Sequence, residues 1–396
     1  MVKIAALPSK VRAQETKQSV FTKRLKSLLF LFCFLAVFSI FCIPMGVGNA
    51  INTLMNTAYD LLIGTVFKIM AIAVIASAIS ELFSEFGVVE LLNRLLSPLM
   101  KPLFGMPGAS ALGVVTTYLS DNPAILSLAD DKKFRSFFKK YQVPALTNLG
   151  TAFGMGLIVT SFMLTLSNVL GRQVATAAIC GNLGAVIGAI VSTRLMLLFM
   201  KKAYDTEEPA VTDRFEDAEI KVENGPRGFL RILNALLEGG KKGVDLGLAI
   251  IPGVLLICSV VMMLSGQRPI GGYTGAAYEG IGVLPIIADK IGFVLRPLFG
   301  FSSSGAVAVP VTALGSAGAA LTIVEDLVKN GSANCNDVAV FTAICMCWSG
   351  YLSTHVSMMD ALKCNKHTGK AILCHTVGGF VAGIAAHWLF VLVTLL

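Results

Sequence analysis

The sequence predicts an all-α polytopic membrane protein: about seven transmembrane helices plus two re-entrant helical hairpins arranged as an inverted repeat. Hydrophobic residues make up 55% of its 396 residues and charged residues only 14%, and the mean hydropathy is +0.75. Soluble globular proteins carry roughly 25% charged residues. Several apolar runs approach or exceed the roughly 18 residues that a transmembrane helix needs. In addition, one interrupted apolar element occurs twice.

The repeated element opens with the same four residues, at Pro102–Gly105 and again, 195 positions later, at Pro297–Gly300. Each copy continues into small or apolar residues, is interrupted, and then resumes. The first interruption is Ser120–Pro123 and the second is Gly315–Gly318. Apolar segments interrupted at corresponding places in two halves of a membrane protein indicate a transporter binding site.

The first apolar run, from Leu28 to Val47, contains no charged residue. A signal peptide is one interpretation, since Gly48–Ala50 weakly suits cleavage. The basic segment before the run is long for a signal peptide, and the run exceeds a typical hydrophobic region. An uncleaved anchor helix is therefore favoured, and residues 1–54 are predicted to form a cytoplasmic N-terminus with this anchor.

The distribution of positive charge favours hairpins over crossings for the two interrupted segments, 103–127 and 298–328. With hairpins and a cytoplasmic N-terminus, internal segments hold 25 of the 32 Lys and Arg residues and external segments hold five. This asymmetry follows the positive-inside rule. It predicts an external C-terminus and a multi-pass protein of the bacterial cytoplasmic (inner) membrane. The remaining predicted spans are 60–82, 142–168, 174–197, 246–265, 338–358 and 371–394.

Three crossings separate equivalent points of the two copies, so the second copy is predicted to be upside down relative to the first. The first repeat covers 55–200, a cytoplasmic linker covers 201–240, and the second repeat covers 241–396. Cys180–Ala185 also aligns with Cys374–Gly379 at a shift of 194. The alternative is that Gly- and Ala-rich helices resemble one another by composition alone.

The two hairpin tips are the first part of the predicted substrate site. The residues before Pro123 read as a helix N-cap with proline at the first helical position. Free N–H groups there would favour an anionic or strongly polar ligand. An ordinary cytoplasmic loop with a capped helix is the alternative. The second tip is expected to supply backbone and one hydroxyl rather than charge. The predicted tip residues are Ser120, Asp121, Asn122, Gly315 and Ser316.

The spans that follow the hairpins carry further polar residues at membrane depth. Pro144 and nearby glycines indicate local unwinding, which would free carbonyl groups for a ligand or cation. Interhelical hydrogen bonding is the alternative role for each polar side chain. The substrate-binding residues predicted here are Asn148, Thr151, Asn182, Ser349, Ser353, Thr354 and His355.

Lys68 lies well inside its predicted span. An intramembrane lysine faces the bundle or a cavity and marks function, unless its long side chain reaches the interface. Both interpretations stay open, and Lys68 is predicted as a coupling or intramembrane charge. His375 and His387 are expected to be neutral helix contacts, with proton coupling as the alternative.

Other function classes lack their motifs. The nine cysteines form no metal-binding pattern, and no nucleophile-elbow motif, paired catalytic carboxylates or phosphate-binding loop is present. We therefore expect no catalytic residues, no metal site, no enzymatic activity and no cofactor other than a coupling ion, H⁺ or Na⁺. The net charge of +8 is explained by internal loops at an anionic leaflet, so no nucleic acid partner is expected.

The Pro-Leu-Phe-Gly-x-Pro-Gly sequence from Pro102, together with Glu238–Gly243 ahead of a span containing Pro252, resembles the nucleoside-recognition (Gate) domain membrane protein family. That family includes spore-maturation-type membrane proteins, parts of concentrative nucleoside transporters and the gate segments of ferrous iron transporter B. The resemblance covers about 57–200 and 236–394 and implies two fused Gate units. The acidic substrate signature of nucleoside transporters and an attached GTPase domain are not found.

Together these features predict a secondary transporter (permease) that moves a small polar or anionic solute by alternating access. Its partners would be that solute and the lipid bilayer, and a homo-oligomer stays open. The alternative is a non-transporting membrane scaffold or assembly component of an envelope complex.

Overall fold

A computed structural model describes residues 9–121, 124, 125, 128, 132–211 and 228–395, with side chains from Leu25 onward except at 132 and 133. This part of the chain is built from helices and contains no β-strand. Six helices in it are long and apolar enough to cross a membrane. The bent pair Gly292–Phe299 and Ser304–Ala313, with 78° between its halves, raises the number to seven if it counts as one span. The predicted all-α polytopic class is confirmed.

The α-helices are joined by two π-helical turns, Leu61–Val66 and Val254–Cys258, and by short 3-10 segments at Lys140–Gln142, Ser304–Val307 and Asn365–His367. In chain order they are α1 Ser9–Met45, α2 Val47–Asp60, α3 Phe67–Glu85, α4 Val88–Phe104, α5 Ser110–Leu119, α6 Lys132–Ser136, α7 Ala145–Thr151, α8 Gly156–Thr165, α9 Ser167–Leu170, α10 Gln173–Lys201, α11 Phe229–Gly253, α12 Ser259–Ser265, α13 Val283–Lys290, α14 Gly292–Phe299, α15 Ala308–Ala313, α16 Ala317–Lys329, α17 Cys335–Cys347, α18 Tyr351–Ala361 and α19 Thr368–Leu395.

Two of the predicted spans are longer than expected because π-helical turns carry each helix onward. The span expected at 60–82 extends over Val47–Glu85, and the one expected at 246–265 extends over Phe229–Ser265. Helix α11 therefore begins inside the segment predicted as a linker. A π-turn adds one residue to a helical turn without ending the helix, and apolarity alone does not reveal it.

The span predicted at 338–358 is instead two shorter helices, α17 and α18. Gly350 lies between them with φ +66°, in the left-handed region. An α-helix cannot continue through that conformation, so the chain turns there. Helices α7 and α8 show the same kind of interruption, at Met155 with φ +56°. The local unwinding expected around Asn148 is observed, but a few residues later in the chain.

The centre of the molecule is a close antiparallel pair formed by α10 and α19. A Cβ built on Gly184 would meet the carbonyl oxygen of Ala382 and the Cβ of Ala386, both closer than van der Waals contact allows. Gly188 lies against Gly378 and Ala382 in the same way. Small residues let helix backbones approach this closely inside membrane proteins.

The shift of 194 positions between the two predicted repeats maps this helix contact onto itself. Gly378 lies 194 positions after Gly184, and a Cβ on it would meet the carbonyl oxygen of Gly188 and the Cβ of Ser192. These are the partners of Gly184 after the same shift. Equivalent helices therefore cross antiparallel about a local two-fold axis, the relation that an inverted repeat requires.

The two copies also share hydrogen bonds at the ends of α4 and α14. Gly105 and Gly300 end these helices with φ of 70° and 64°. The side-chain amide of Gln142 donates to the Gly105 carbonyl at 3.2 Å, and that of Asn336 donates to the Gly300 carbonyl at 3.0 Å. Each amide thus binds a C-terminal carbonyl that the helix cannot satisfy internally.

A second antiparallel pair, α3 with α11, lies outside the central one. Gly239 and Gly243 of α11 lie directly against the α3 backbone at Ser77 and at Ala73–Val74. Ion pairs of Lys242 with Glu81 and of Arg231 with Glu85 also join the two helices. Of the predicted linker, 212–227 lies outside the described residues. Its first part packs against the segment that follows α6, where the Glu208 carbonyl accepts from the Lys140 N–H at 2.8 Å.

Candidate functional site

The predicted site residues lie in four places. Ser120 and Asp121 follow the end of α5, and the Asp121 carbonyl accepts from the Ala124 N–H at 3.0 Å. The predicted Asn122 lies outside the described residues. A buried cluster between α7, α10, α18 and α19 contains Asn148, Thr151 and His355. Gly315, Ser316, Ser349, Ser353 and Thr354 lie at or near the place where two chain interruptions meet, and Asn182 lines an apolar cavity.

The interruption at Gly315–Ser316 contacts the interruption at Gly350. The Gly350 N–H donates to the Ala313 carbonyl at 3.0 Å, and a Cβ on Gly350 would lie 3.0 Å from the Gly315 carbonyl oxygen. Ser316 caps α16 by accepting from the Ala319 N–H at 3.2 Å. Two elements that lack regular helical hydrogen bonding are thus in direct backbone contact.

Two hydroxyl groups in the first turn of α18 donate hydrogen bonds to the residue that precedes the helix. The hydroxyls of Ser353 and Thr354 donate to the Gly350 carbonyl at 3.2 and 3.0 Å. In this conformation they stabilise the start of the helix. The side chain of Ser349 is buried.

A hydrogen-bonded chain crosses the buried cluster. The Asn148 amide donates to the Ser192 hydroxyl at 3.0 Å and to the Ala371 carbonyl at 2.9 Å. Ser192 Oγ lies 3.0 Å from His375 Nδ1, and His375 Nε2 contacts the Cys347 carbonyl. A carbonyl only accepts, so we assign the proton to Nε2, and Nδ1 then accepts from Ser192. With this assignment His375 is a neutral imidazole. Its expected role as a helix contact, with proton coupling as the alternative, stays a prediction.

His355 is the least satisfied group of the cluster. Its side chain is fully buried, its ring centroid lies 4.6 Å from that of His375, and its edge meets Tyr351. Neither ring nitrogen has a hydrogen-bond partner among the described residues, and neither does Asn148 Oδ1. Buried polar atoms are normally paired. Unpaired atoms on two neighbouring elements mark a place where a ligand, a water or a rearrangement must supply partners.

Thr151 belongs to the same cluster but is engaged locally. Its hydroxyl donates to the Thr147 carbonyl at 2.8 Å and lies 3.7 Å from the sulfur of Met358. Thr147 in turn lies 3.4 Å from the sulfur of Met359. The side chains of α7 thus reach α18 through soft sulfur contacts, which tolerate relative movement better than a rigid polar network would.

Lys68 has a partner that the sequence did not reveal. Its Nζ lies 2.8 Å from Glu325 Oε1 on α16, and Lys329 lies 2.9 Å from the same oxygen. The Lys68 ammonium also lies 5.4 Å from the ring centre of Phe162. The expectation that the second hairpin tip supplies backbone and one hydroxyl to the site stays a prediction, since Glu325 lies in the helix that follows the tip. The acidic pair at 325–326, inside an otherwise apolar segment, was the signal that could have shown the partner of Lys68.

Asn182 lies apart from the other predicted residues. It lines an apolar cavity of about 460 Å³ between α4, α5, α8 and α10. Its amide oxygen accepts from the Tyr118 hydroxyl at 3.0 Å, and its amide nitrogen donates to Thr160 at 3.0 Å. These hydrogen bonds give Asn182 the interhelical role that the sequence left open as its alternative.

No group of three or more His, Cys, Asp or Glu side chains in the described part of the chain could hold a metal ion. Ser192 belongs to the buried cluster without having been predicted, because it occupies a helix whose apolar composition gave it no distinguishing pattern. Tyr351 also belongs to the cluster; it lies in the polar stretch around His355 but was not in the predicted binding set.

Comparison with known proteins gives a likeness of fold. No protein-family model matches the chain, and no curated protein matches it. Solved structures similar in fold to this chain include two CNTnw variants. One is a CNTnw variant in an outward-facing state, with 13% identity, a TM-score of 0.51, and coverage of 95% of this chain and 86% of that one. The other is a CNTnw variant in its intermediate 2 state, with 14% identity, the same TM-score, and coverage of 95% and 84%. CNTnw is a concentrative nucleoside transporter.

Proposed function

We propose that this chain is a secondary transporter that moves a small polar solute across the bacterial cytoplasmic membrane by alternating access. A proton or sodium gradient would drive it. The N-terminus would be cytoplasmic and the C-terminus external. The two hairpin segments and the interrupted helices that follow them would form the solute path.

The contact between the Gly315–Ser316 and Gly350 interruptions carries the proposal. Interrupted helices inside a membrane protein are tolerated only where they are buried in protein or line a wet cavity. They are the elements from which transporter sites are built. Here one interruption supports the other, next to buried atoms of His355 and Asn148 that lack partners.

The close packing of the central α10–α19 pair supports the same proposal. Its backbones are in direct contact at Gly184, Gly188 and Gly378, so a side chain would not fit between them. The contacts of α7 with α18 run through methionine sulfurs instead, and we propose Gly350, which separates α17 from α18, as a hinge. We propose that the close pair is the fixed frame and that the second hairpin segment moves against it.

The likeness to a transporter described in outward-facing and intermediate states fits a chain that changes conformation. The solute of CNTnw is not carried over to this chain. For binding we propose the predicted set: Ser120, Asp121, Asn122, Asn148, Thr151, Asn182, Gly315, Ser316, Ser349, Ser353, Thr354 and His355, with Lys68 as the intramembrane charge. Among these, His355 and Asn148 have the strongest support, because both ring nitrogens of His355 and the amide oxygen of Asn148 are buried without a hydrogen-bond partner among the described residues.

The test is uptake by proteoliposomes under imposed proton or sodium gradients. Solutes would be chosen by thermal-shift screening of the purified protein against metabolites. The decisive variant is Gly350→Ala, which adds a methyl group 3.0 Å from the Gly315 carbonyl. Gly331→Ala is the matched control: its φ of +67° equals that of Gly350 within a degree, but nothing lies within 4 Å.

We expect Gly350→Ala to lose uptake and Gly331→Ala to retain it, with similar losses of thermal stability. Equal uptake by both variants would refute the hinge. If the wild-type protein takes up no solute under either gradient, the chain is not a transporter, and the scaffold alternative replaces the proposal.

A further inference from the structure

A cavity of about 560 Å³ with several polar side chains in its wall lies beside α16, away from the central cluster. This volume is within the range of small-molecule sites, roughly 300–1,000 Å³. The walls come from the end of α12, the segment after it, residues 303–305 and one side of α16. The side chains that supply polar groups are Ser265, Gln267, Tyr278, Ser303, Ser304, Asp326, Asn330 and Ser332.

The charge balance of the cavity is negative. Glu325, the neighbour of Asp326, is neutralised by Lys68 and Lys329 at 2.8 and 2.9 Å. Asp326 makes no ion pair or side-chain hydrogen bond with any described residue, and it lines the cavity. None of the described residues lining this cavity is Lys or Arg. An incoming positive charge would therefore meet one carboxylate and no cation in the cavity wall; Lys329, which is outside the wall, also attracts Asp326 but is paired with Glu325.

Hydroxyl groups beside this carboxylate are also available. Ser303 Oγ is buried and has no hydrogen-bond partner among the described residues. Ser304 adds a further hydroxyl to the wall, whereas the Ser265 hydroxyl already donates to the Val261 carbonyl at 2.8 Å. A hydroxylated ligand could exchange hydrogen bonds with these groups, whereas an apolar one would leave them unpaired at a cost.

The segment around Tyr278 forms another part of the cavity wall, and its backbone has a strained conformation. Tyr278 has φ +65°, rare for a residue with a side chain, and its N–H donates to Thr57 Oγ1 at 2.9 Å. The next residue, Glu279, accepts from the N–H groups of Thr274 and Gly275 at 3.0 Å each. Such strain persists only where the surroundings enforce it, and it concentrates at ligand sites. Here it places Tyr278 in the cavity wall.

We propose that this cavity binds a small hydroxylated ammonium compound, with Asp326 pairing with the ammonium group and Ser303 and Ser304 contacting the hydroxyls. The site goes beyond the central solute path. Binding there does not require transport, so its test does not depend on the proposed function.

The experiment compares three probes that share a carbon framework and differ in charge: glucosamine, glucose and gluconate. Each is titrated calorimetrically into the purified full-length chain in detergent. We expect glucosamine to bind about tenfold more tightly than glucose, the size of one charge-assisted hydrogen bond, and gluconate to bind more weakly than glucose. High salt should reduce the glucosamine preference, because it screens the ion pair.

The variant Asp326→Asn should remove the preference for glucosamine over glucose. Asp289→Asn is the matched control, because Asp289 is an exposed carboxylate that lines a separate recess of about 30 Å³ beside the same serines. It should keep the preference. The proposal is overturned if gluconate binds as well as glucosamine, if Asp326→Asn keeps the preference, or if no probe binds. The comparison of the three probes on the wild-type chain tests the proposed binding preference even if a variant fails to fold. Uptake in proteoliposomes is a separate measurement and can succeed or fail independently.

Discussion

At the scale of single residues, the ion pair of Lys68 with Glu325 joins α3 to the second hairpin segment. The Glu325 side chain is 6% exposed and that of Lys68 is 36% exposed. A carboxylate this deeply buried needs compensation, because leaving a charge unpaired in the interior costs far more than the pair gains. Lys68 therefore supplies compensation as well as an intramembrane charge, and its two predicted roles can be separated by experiment.

Replacing Lys68 by Met should lower the free energy of unfolding by about 1–2 kcal/mol. This is less than the roughly 3–5 kcal/mol seen when a fully buried pair loses one partner, because Lys68 is partly exposed and Lys329 remains. Thermal unfolding in detergent measures the loss. If Lys68 acts in coupling, Lys68→Met should also abolish gradient-driven uptake.

The control is Lys329→Met, which removes the more exposed lysine of the same cluster, 61% exposed, and should cost less stability. The double variant Lys68→Met with Glu325→Gln should recover most of the loss, since the buried carboxylate is gone and Lys329, which then loses its partner, is mostly exposed. Additive losses would mean that the two groups do not interact.

Glu279 gives a pH dependence outside the membrane-spanning segments. Burial raises its pKa, but hydrogen bonds from Thr274 and Gly275 outweigh this effect and hold the pKa below its ordinary value of 4.5. A carboxyl group with a depressed pKa stabilises the fold above its unfolded-state pKa and loses that contribution as the pH falls through its folded-state pKa. Thermal stability should therefore decline as the pH falls below 4.5.

Glu279→Gln should be less stable than the wild-type chain at pH 7, and the difference should shrink below pH 4.5. Scanning calorimetry between pH 7 and pH 3.5 measures both. A difference that stays constant over this range would show that the carboxylate charge contributes nothing.

At the scale of elements, the close helix pairs depend on residues without side chains. Gly188 sits at the centre of the α10–α19 contact, where the partner backbone fills the space that a Cβ would occupy. Gly369 is also helical, in the first turn of α19, yet nothing lies within 4 Å of its Cβ position. Replacing each of these two glycines by alanine raises helix propensity at both sites but adds a steric clash only at Gly188. Comparing the two variants therefore isolates the cost of overpacking.

Gly188→Ala should destabilise the protein by roughly 1–3 kcal/mol, the usual cost of extra atoms in a filled interior. Gly369→Ala should be neutral or stabilising by up to about 1 kcal/mol, because alanine favours the helix. Thermal unfolding of both variants makes the comparison. A stable Gly188→Ala would mean that the helices are not in backbone contact.

At the scale of the whole molecule, the two copies of the element share their glycine helix ends, their amide contacts and their interrupted helices. Equivalent helices run antiparallel in the α10–α19 pair, so the two halves should have opposite orientations in the bilayer. An inverted arrangement lets each half close one side of a common path.

A topology reporter fused after Lys202 should report the cytoplasm, and one placed at Asn334 should report the exterior. The distribution of Lys and Arg between the loops is the physical reason. Activity of a compartment-specific enzyme fusion measures each location. Finding both reporters on one side would contradict the opposed orientation of the two halves.

Most of the fold could be predicted because membrane-spanning helices have a strong local signal. The span predicted at 174–197 is observed over Gln173–Lys201, and the one predicted at 371–394 lies within Asn365–Leu395. Both are uninterrupted apolar helices, where length and hydropathy suffice. The span predicted at 338–358 failed because a single glycine conformation, at Gly350, interrupts it.

The candidate site was predicted less well because its residues act through partners far away in sequence. Asn148 and His355 were chosen for their polarity at membrane depth, and the fold brings both into one buried cluster. Asn182 was chosen for the same reason and lies in a different, apolar cavity. Nothing in the polarity of a residue distinguishes these outcomes, since the partners come from other helices.

The sequence by itself determined the membrane class, the helical architecture and the repeated element, because these follow from hydropathy, length and local similarity along the chain. Tertiary structure alone decided the partner of Lys68, the contact of Gly350 with Gly315, and the position of Asp326 in a cavity wall without an ion-pair partner among the described residues. Lys68 and Glu325 are separated by 257 positions. Pairing across such a distance is fixed by how the helices pack, and packing depends on the shapes of all the surfaces that meet.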